Sequence, residues 1–408
     1  MKLPNLNIWK DALNYIKKEG VGYFLIKVFF FVIGQMAIIL YPLCLVMNIK
    51  IIPIWYPAIG HIACELDCYV KEGVLGLRPQ YKAVLLVPHK NVANRHLLGY
   101  WKKYVFVVDN PALTLLLAKL GKSKFTTYNT KRYVISFDKN AAFPAIQKQY
   151  YGRPPLLSLT DFDQKRGWAA LRKLGVPQNA WFACVHCREG GNIGNMQAHS
   201  LRDVDINSYF LAMKEIVQRG GWVIRMGDAA MKPIPPMKNT IDYAHLDVKS
   251  EWMDVFLCAS SKFFLGSSSG LAAVASVFGI SNAIANIALP FSGVLFYGPE
   301  DIGIPKLIWS EKEKRYLSFK EVLSSPIANF RYSDLFATNA IQVVENSPED
   351  IKEVVIEILD KIEGKLKYSE DDERLQARFK SLMNPSNYSY GAISRVGRCF
   401  LRKYEYLL

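Results

Sequence analysis

Residues 262–278 read KFFLGSSSGLAAVASVF. Lys262-Phe263-Phe264-Leu265 is a short apolar run of strand type, and Leu271 to Phe278 is small and apolar enough for a buried helix. Between them, Gly266-Ser267-Ser268-Ser269-Gly270 carries no bulky side chain. Small residues let backbone N–H groups approach a ligand, and the helix N-terminus adds roughly half a positive charge. Serine hydroxyls can donate to the same anion. The loop lacks a lysine and is not a Walker loop. It predicts an α/β fold that meets anions at a strand's carboxyl end. A serine-rich turn that only caps its helix is the competing reading.

The same alternation runs outward in both directions. Thr160, with Asp163 three residues on, caps a helix that runs to Gly175-Val176-Pro177. Strands follow at Trp181 to Val185, Trp222 to Ile224 and near Ser281 to Ala288, the last stopping at Pro290. Helices are expected near Asp205 to Arg219 and Trp252 to Ala259, and Ser347-Pro348 opens a final amphipathic helix. Upstream, Ala83 to Val87 and Lys103 to Val108 are strand candidates, and Pro111 to Leu120 is a helix candidate. Strands alternating with helices predict parallel sheets covered by helices. The 408 residues exceed one core of roughly 250–300, so two domains are expected. Arg153-Pro154-Pro155 marks a boundary. The chain divides into 1–57, a basic and hydrophobic segment, then 58–153 and 154–345, two α/β lobes, and 346–408, C-terminal helices.

Three strand ends carry chemistry: His186-Cys187-Arg188, Arg225-Met226-Gly227-Asp228 and the serine loop. An arginine at the tip of a buried strand is costly unless paired, and guanidinium forks match phosphate. Arg188 and Arg225 therefore read as a diphosphate clamp, or as structural partners of Asp203, Asp205 or Asp228. His186 donates to a phosphate or a base, or is a core histidine. In the first half, Gly60-His61 precedes a helix carrying Glu65, four residues on and on one face. A transfer to a hydroxyl needs a general base, which either can supply; a helix cap and a surface carboxylate is the alternative. Asp161-Phe162-Asp163 and Asp203-Val204-Asp205 stand at helix starts, where acids are favoured anyway, so no metal site is expected. Seven scattered cysteines, an odd number, suggest buried reduced thiols. Cys184 and Cys187 fall on opposite faces of a strand.

These motifs, in this order, resemble a family of bacterial glycosyltransferases of surface-polysaccharide loci. The resemblance covers nearly the whole chain. It rests on Ile59-Gly60-His61 with Glu65, Asn94-Arg95-His96-Leu97-Leu98, His186-Cys187-Arg188, Trp222 to Asp228, Ser250-Glu251-Trp252-Met253-Asp254, Phe264 to Gly270, Ile304-Pro305-Lys306 and Glu345 to Ile351. The His-x-Arg strand end and serine loop are also similar to those of fucosyltransferases with a guanosine diphosphate donor. The resemblance implies a GT-B-like fold of two Rossmann-like lobes, with acceptor on the first and donor in the second. It implies inverting, metal-independent transfer with a nucleotide-diphosphate sugar as substrate and no cofactor. It places the donor at His186, Arg188, Arg225, Gly227, Asp228, Gly266, Ser267, Ser268, Ser269 and Gly270. His61 or Glu65 would be the base, with Asn94 and Arg95 on the acceptor side. One departure is Glu189-Gly190-Gly191-Asn192 after the arginine, which leaves donor base and sugar open. A sugar-nucleotide epimerase or hydrolase on the same fold, and a non-catalytic nucleotide-binding membrane scaffold, are the rival classes.

The net charge of +15 points to an anionic partner. No nucleic-acid recognition module is present in the sequence. Val28 to Met47 is free of charge, long enough to span a bilayer, and preceded by Lys10, Lys17, Lys18 and Lys27. A full span would carry the large domain away from its activated donor. The expectation is a monotopic insertion at the cytoplasmic face of the inner membrane, near a glycan or lipid-linked acceptor. An ordinary buried helix is the alternative. At the C-terminus, Ile393, Val396, Phe400 and Tyr404 alternate at helical spacing with Arg395, Arg398 and Arg402. That suits a helix on anionic lipid, or one docked on the protein with a basic outer face.

Overall fold

The computed structural model describes residues 20–22, 25, 28, 29, 32, 40–134, 142–189, 201–288, 298–330 and 332–408. The chain forms two compact units. The smaller contains Met1–Pro57, Arg78–Ala93 and Trp101–Thr130; the larger contains Ala58–Leu77, Asn94–Tyr100 and Lys131–Leu408.

In the smaller unit, β1 (Ile49–Ile51), β2 (Lys82–Leu86) and β3 (Phe106–Val108) form a parallel sheet in that order. Helices Tyr41–Val46 and Pro111–Leu117 accompany it. Asn110 caps the second through Ala112 N and Leu113 N, and Pro111 opens it. The buried core is thin: Cys44, Ile51 and Leu120, with Tyr41, Val84, Leu86 and Leu117 packed around them. Within the Val28–Met47 stretch, residues 30, 31 and 33–39 lie outside the described residues. Among those described, no helix is long and apolar enough to cross a membrane.

The larger unit is built on a seven-stranded sheet. Its strands are β4 (Phe182–His186), β5 (Trp222–Arg225), β6 (Thr240–Ile241), β7 (Phe264–Gly266), β8 (Asn282–Ile287), β9 (Ile302–Pro305) and, below, β13 (Arg395–Val396). Every neighbouring pair is parallel, in the order β6-β5-β4-β7-β8-β9-β13. The chain starts at central β4, steps out to β5 and β6, then returns to β7 and runs the other way. That is the doubly wound Rossmann order, with its reversal between β4 and β7. β4, β7, β8 and β9 are buried along their whole length, as a sheet covered on both faces requires. Ala183 and Val185 join the core formed with helices Phe210–Gln218 and Pro348–Ile362. Phe182, pointing the other way, meets Trp168 of helix Asp161–Lys173, and Trp168 meets Phe256 of helix Glu251–Ser260. A small antiparallel sheet, β11-β10-β12, comprises β10 (Leu307–Ser310), β11 (Arg315–Tyr316) and β12 (Ile341–Val344).

Three local devices match the sequence chemistry. Thr160 accepts from Asp163 N, and Ser347 forms a capping box with Asp350 behind Pro348. Asn286 adopts a left-handed φ of 55° where β8 shifts register, a conformation asparagine tolerates. Asn346 locks that bulge: its Oδ1 accepts from Asn286 N at 2.6 Å, and its own N donates to Asn286 Oδ1 at 2.7 Å.

The C-terminal segment follows the docked alternative. Arg395–Val396 is strand β13, and the helix is confined to Arg398–Lys403. Val396, Phe400 and Leu401 are in the core. Arg402 pairs with Asp372 at 2.7 Å, Lys403 with Asp350 at 2.7 Å and Arg395 with Glu373 at 3.0 Å. Its apolar side is thus already buried in protein and those basic groups already have carboxylates.

Candidate functional site

The reversal between β4 and β7 places two loops side by side beyond the strands' carboxyl ends: 187–189 after β4 and 267–269 after β7. The two strands approach closely there. A Cβ on Gly266 would lie 2.2 Å from the His186 carbonyl oxygen, so only glycine fits. Ser267 N donates to that carbonyl at 3.1 Å, and Arg188 N donates to Ser267 Oγ at 3.0 Å. Ser267 is therefore the stitch between the loops. Ser268 and Ser269 are left with buried hydroxyls that have no hydrogen-bond partner among the described residues. They stand at the N-terminus of helix Gly270–Val277, whose N-cap Ser269 makes no side-chain cap bond. His186 Nδ1 is likewise buried without a partner. Burial and the nearby Arg225 charge push the His186 imidazole down to about 4, so it is neutral at physiological pH. Buried polar atoms normally find partners. Two orphaned hydroxyls at a helix N-terminus, with an orphaned ring nitrogen at the end of the neighbouring strand, fit an oxyanion-bearing ligand.

The arginines differ. Arg188 Nε pairs with Asp203 Oδ1 at 3.0 Å, and its carbonyl accepts from Val204 N at 2.8 Å. Arg225, 1% exposed, gives its guanidinium to Asp242 at 3.2 Å, Glu189 at 3.4 Å and the Lys232 carbonyl at 3.0 Å. It ties the 189 loop to the 228–242 segment. Gly227 carries a φ of 149° with Met231 Sδ where a Cβ would go, and Asp228 Oδ1 accepts from Ala230 N at 2.9 Å. Of the Glu189–Gln197 loop, only Glu189 is described.

Helix Ile59–Val74 belongs to the same unit and crosses helix Gly270–Val277 at their N-termini. A Cβ on Gly270 would be 2.8 Å from Gly60 N, and one on Gly60 would be 2.9 Å from Gly270 Cα. This glycine-on-glycine contact brings His61 to the serine loop's helix. His61 Nδ1 is 2.5 Å from Glu65 Oε1, with Glu65 4% and His61 29% exposed at the side chain. A buried carboxylate thus orients an accessible imidazole, leaving Nε2 without a partner among the described residues.

Asn94 and Arg95 sit elsewhere. Asn94 is buried; its Oδ1 accepts from Leu97 N at 2.7 Å and its Nδ2 donates to the Glu251 carbonyl at 2.9 Å. Arg95 N donates to the Glu251 carboxylate at 2.6 Å. Asn94 is therefore a helix cap. Nearby, Asp163 is held by Tyr100, by His96 at 2.9 Å and by Arg166. Burial pushes its carboxyl up, but these three partners prevail and hold it below the usual range. The same burial and the Asp163 hydrogen bond push the Tyr100 phenol to about 12. Asp205 caps the Ile206–Tyr209 turn. Among the described residues, no group of His, Cys, Asp and Glu is arranged to hold a metal ion.

Two further residues border the site. Arg202 donates to the Ser268 carbonyl at 2.6 Å. Lys306, 2% exposed, donates to the Asp203 carbonyl at 3.0 Å and faces Glu345 at 3.7 Å. Burial draws its ammonium below the usual lysine range. Lys306 follows Pro305 at the end of β9, so a charged residue at a strand tip was the signal for it.

Fold and site together define an α/β protein with a Rossmann-type unit whose switch point is furnished with hydrogen-bond donors. No family model matches the chain, and no curated protein matches its sequence. Among solved structures it is similar to a glycosyl transferase family 9 protein from Veillonella parvula DSM 2008, at 11% identity and a TM-score of 0.43 over 77% of this chain and 97% of that one. It is similar to the dodecameric iron-containing heptosyltransferase TibC in complex with ADP-D-beta-D-heptose, at 14% identity and a TM-score of 0.36 over 78% and 76%. It is also similar to the E. coli ADP-heptose lps heptosyltransferase II, at 17% identity and a TM-score of 0.29 over 58% and 84%.

Proposed function

We propose that the protein is a metal-independent glycosyltransferase of GT-B type that moves a sugar from a nucleoside-diphosphate donor to a hydroxyl of a glycan or lipid-linked acceptor. One observation carries the reading: the orphaned donors of the β4–β7 switch point share a helix crossing with the His61–Glu65 pair. The donor diphosphate would lie at the N-terminus of helix Gly270–Val277, taking hydrogen bonds from Ser268, Ser269 and backbone N–H groups. Arg188, steadied by Asp203, would supply the positive charge. These groups oppose the charge that grows as the diphosphate departs, and that differential stabilisation drives the step. His61 Nε2 would take the acceptor's proton while the acceptor oxygen attacks the anomeric carbon and the bond to the diphosphate breaks. Glu65 would hold Nδ1 and stabilise the imidazolium. Attack opposite the leaving group inverts the anomeric centre.

The test is sugar transfer from a panel of nucleotide sugars, with and without acceptor glycans. His61→Ala should lower kcat by about 10²–10⁴ while leaving donor affinity within a few-fold. Equal turnover in the variant removes His61 from the chemistry. Donor consumption that ignores every acceptor supports a hydrolase or epimerase instead.

A further inference from the structure

We propose that the smaller unit docks on an anionic bilayer through the surface made by helices Tyr41–Val46 and Pro111–Leu117 and the 119–125 turn. This assignment is independent of the transferase reading. Charge is the first observation. In the described stretches 40–57, 78–93 and 101–130, nine lysines and arginines stand against one acid, Asp109. The larger unit, by contrast, pairs the bases of its C-terminal helix with carboxylates.

The second observation is what surrounds that charge. Helix Pro111–Leu117 reads PALTLLL and buries none of its residues; helix Tyr41–Val46 buries only Cys44. Leu43, Leu45, Leu113 and Leu115 are exposed, Val46 is 85% exposed and Phe125 is 59% exposed. The elements adjoin. Tyr41 OH donates to the Lys119 carbonyl at 3.3 Å, and Tyr41, Cys44, Leu117 and Leu120 share one apolar cluster. Lys50 Nζ donates to the Phe125 carbonyl at 2.6 Å, and Lys124 lies 5.3 Å from the Phe125 ring centre. Lys122 and Lys124 are exposed.

Aliphatic and aromatic side chains beside the exposed Lys122 and Lys124 suit a headgroup interface, where the apolar groups enter the acyl boundary and the ammonium groups meet lipid phosphates. A nucleic acid would reward the charge but gain nothing from exposed leucines. The occupant is therefore a bilayer rich in anionic lipid. If it docks this way, residues 41–47 lie at the interface whether or not the preceding apolar stretch inserts.

The full chain should be sedimented with phosphatidylcholine vesicles and with vesicles containing phosphatidylglycerol, beside Lys122→Glu/Lys124→Glu and Leu113→Ser/Phe125→Ser variants. Circular dichroism melts confirm that these exposed substitutions leave the fold intact. Wild type should bind the anionic vesicles and weaken in high salt, and each variant should bind at least tenfold less tightly. The proposal fails if wild type ignores anionic vesicles or if both variants bind like wild type, which would place the contact elsewhere. It also fails if DNA or RNA competes the protein off vesicles and binds with higher affinity.

Discussion

His186 should make the fold acid-sensitive in a window that His186→Asn closes. The ring is buried beside Arg225, with its pKa lowered to about 4 from the ordinary 6.5. Above pH 6.5 the imidazole is neutral in folded and unfolded chains alike. As pH falls, the unfolded chain takes up a proton near 6.5 while the folded one refuses it until about 4. The contribution is therefore intact above pH 6.5 and lost by pH 4. The gap of about 2.5 pH units, at about 1.36 kcal/mol per unit, corresponds to about 3 kcal/mol. Urea unfolding of wild type and His186→Asn at pH 7.0 and pH 4.5 isolates it, because carboxylates titrating in that range are common to both proteins. Wild type should lose about 2 kcal/mol more than the variant between the two pH values. Equal losses would mean that His186 is not held neutral in the fold.

Other substitutions follow from the same contacts. Gly270→Ala would press a methyl against Gly60 N and the Ile59 side chain, both at 2.8 Å. It should cost about 1–3 kcal/mol in thermal unfolding and weaken nucleotide binding, whereas Gly99→Ala, with open space around it, should do neither. Arg225→Met should destabilise by about 3 kcal/mol, because Glu189 and Asp242 lose the guanidinium charge they face. A variant of wild-type stability that has lost nucleotide binding would return Arg225 to the diphosphate. Asn346→Ala strips the caps from Asn286 N and the Pro305 carbonyl and should cost about 2–4 kcal/mol in denaturant titration.

The Rossmann unit was legible because several of its strands contain apolar runs, such as Phe182–Val185, Trp222–Ile224 and Phe263–Leu265, that stop at Gly, Pro or charged and polar residues. Phe182–His186, Trp222–Arg225 and Asn282–Ile287 fall within a residue or two of their sequence expectations. The serine loop was legible for the same reason, since only small residues bridge β7 to its helix. Arg395–Val396 was not, because two residues have no periodicity and their place beside β9 is a long-range pairing. The C-terminal pattern of apolar and basic residues suits lipid and protein docking equally. The partners Asp372 and Asp350 decided it, and they are distant in sequence. Arginine at a strand tip likewise predicted a need for anions without saying whether protein or ligand supplies them. Arg225 takes three protein acceptors. His61 and Glu65 were visible as a helical pair, but their closeness to the serine loop rests on Gly60 meeting Gly270 across two hundred residues of chain.

The most direct measurement is thermal unfolding of the full chain with guanosine, uridine, cytidine, adenosine and thymidine diphosphates, in parallel with Arg188→Ala and Ser268→Ala/Ser269→Ala. A ligand held only by the folded state must raise its stability. The switch-point account predicts a clear upward shift with at least one diphosphate, smaller with its monophosphate, and lost or strongly reduced in both variants. No shift with any nucleotide at concentrations of about 1 mM and above, or a shift that both variants retain, would contradict it.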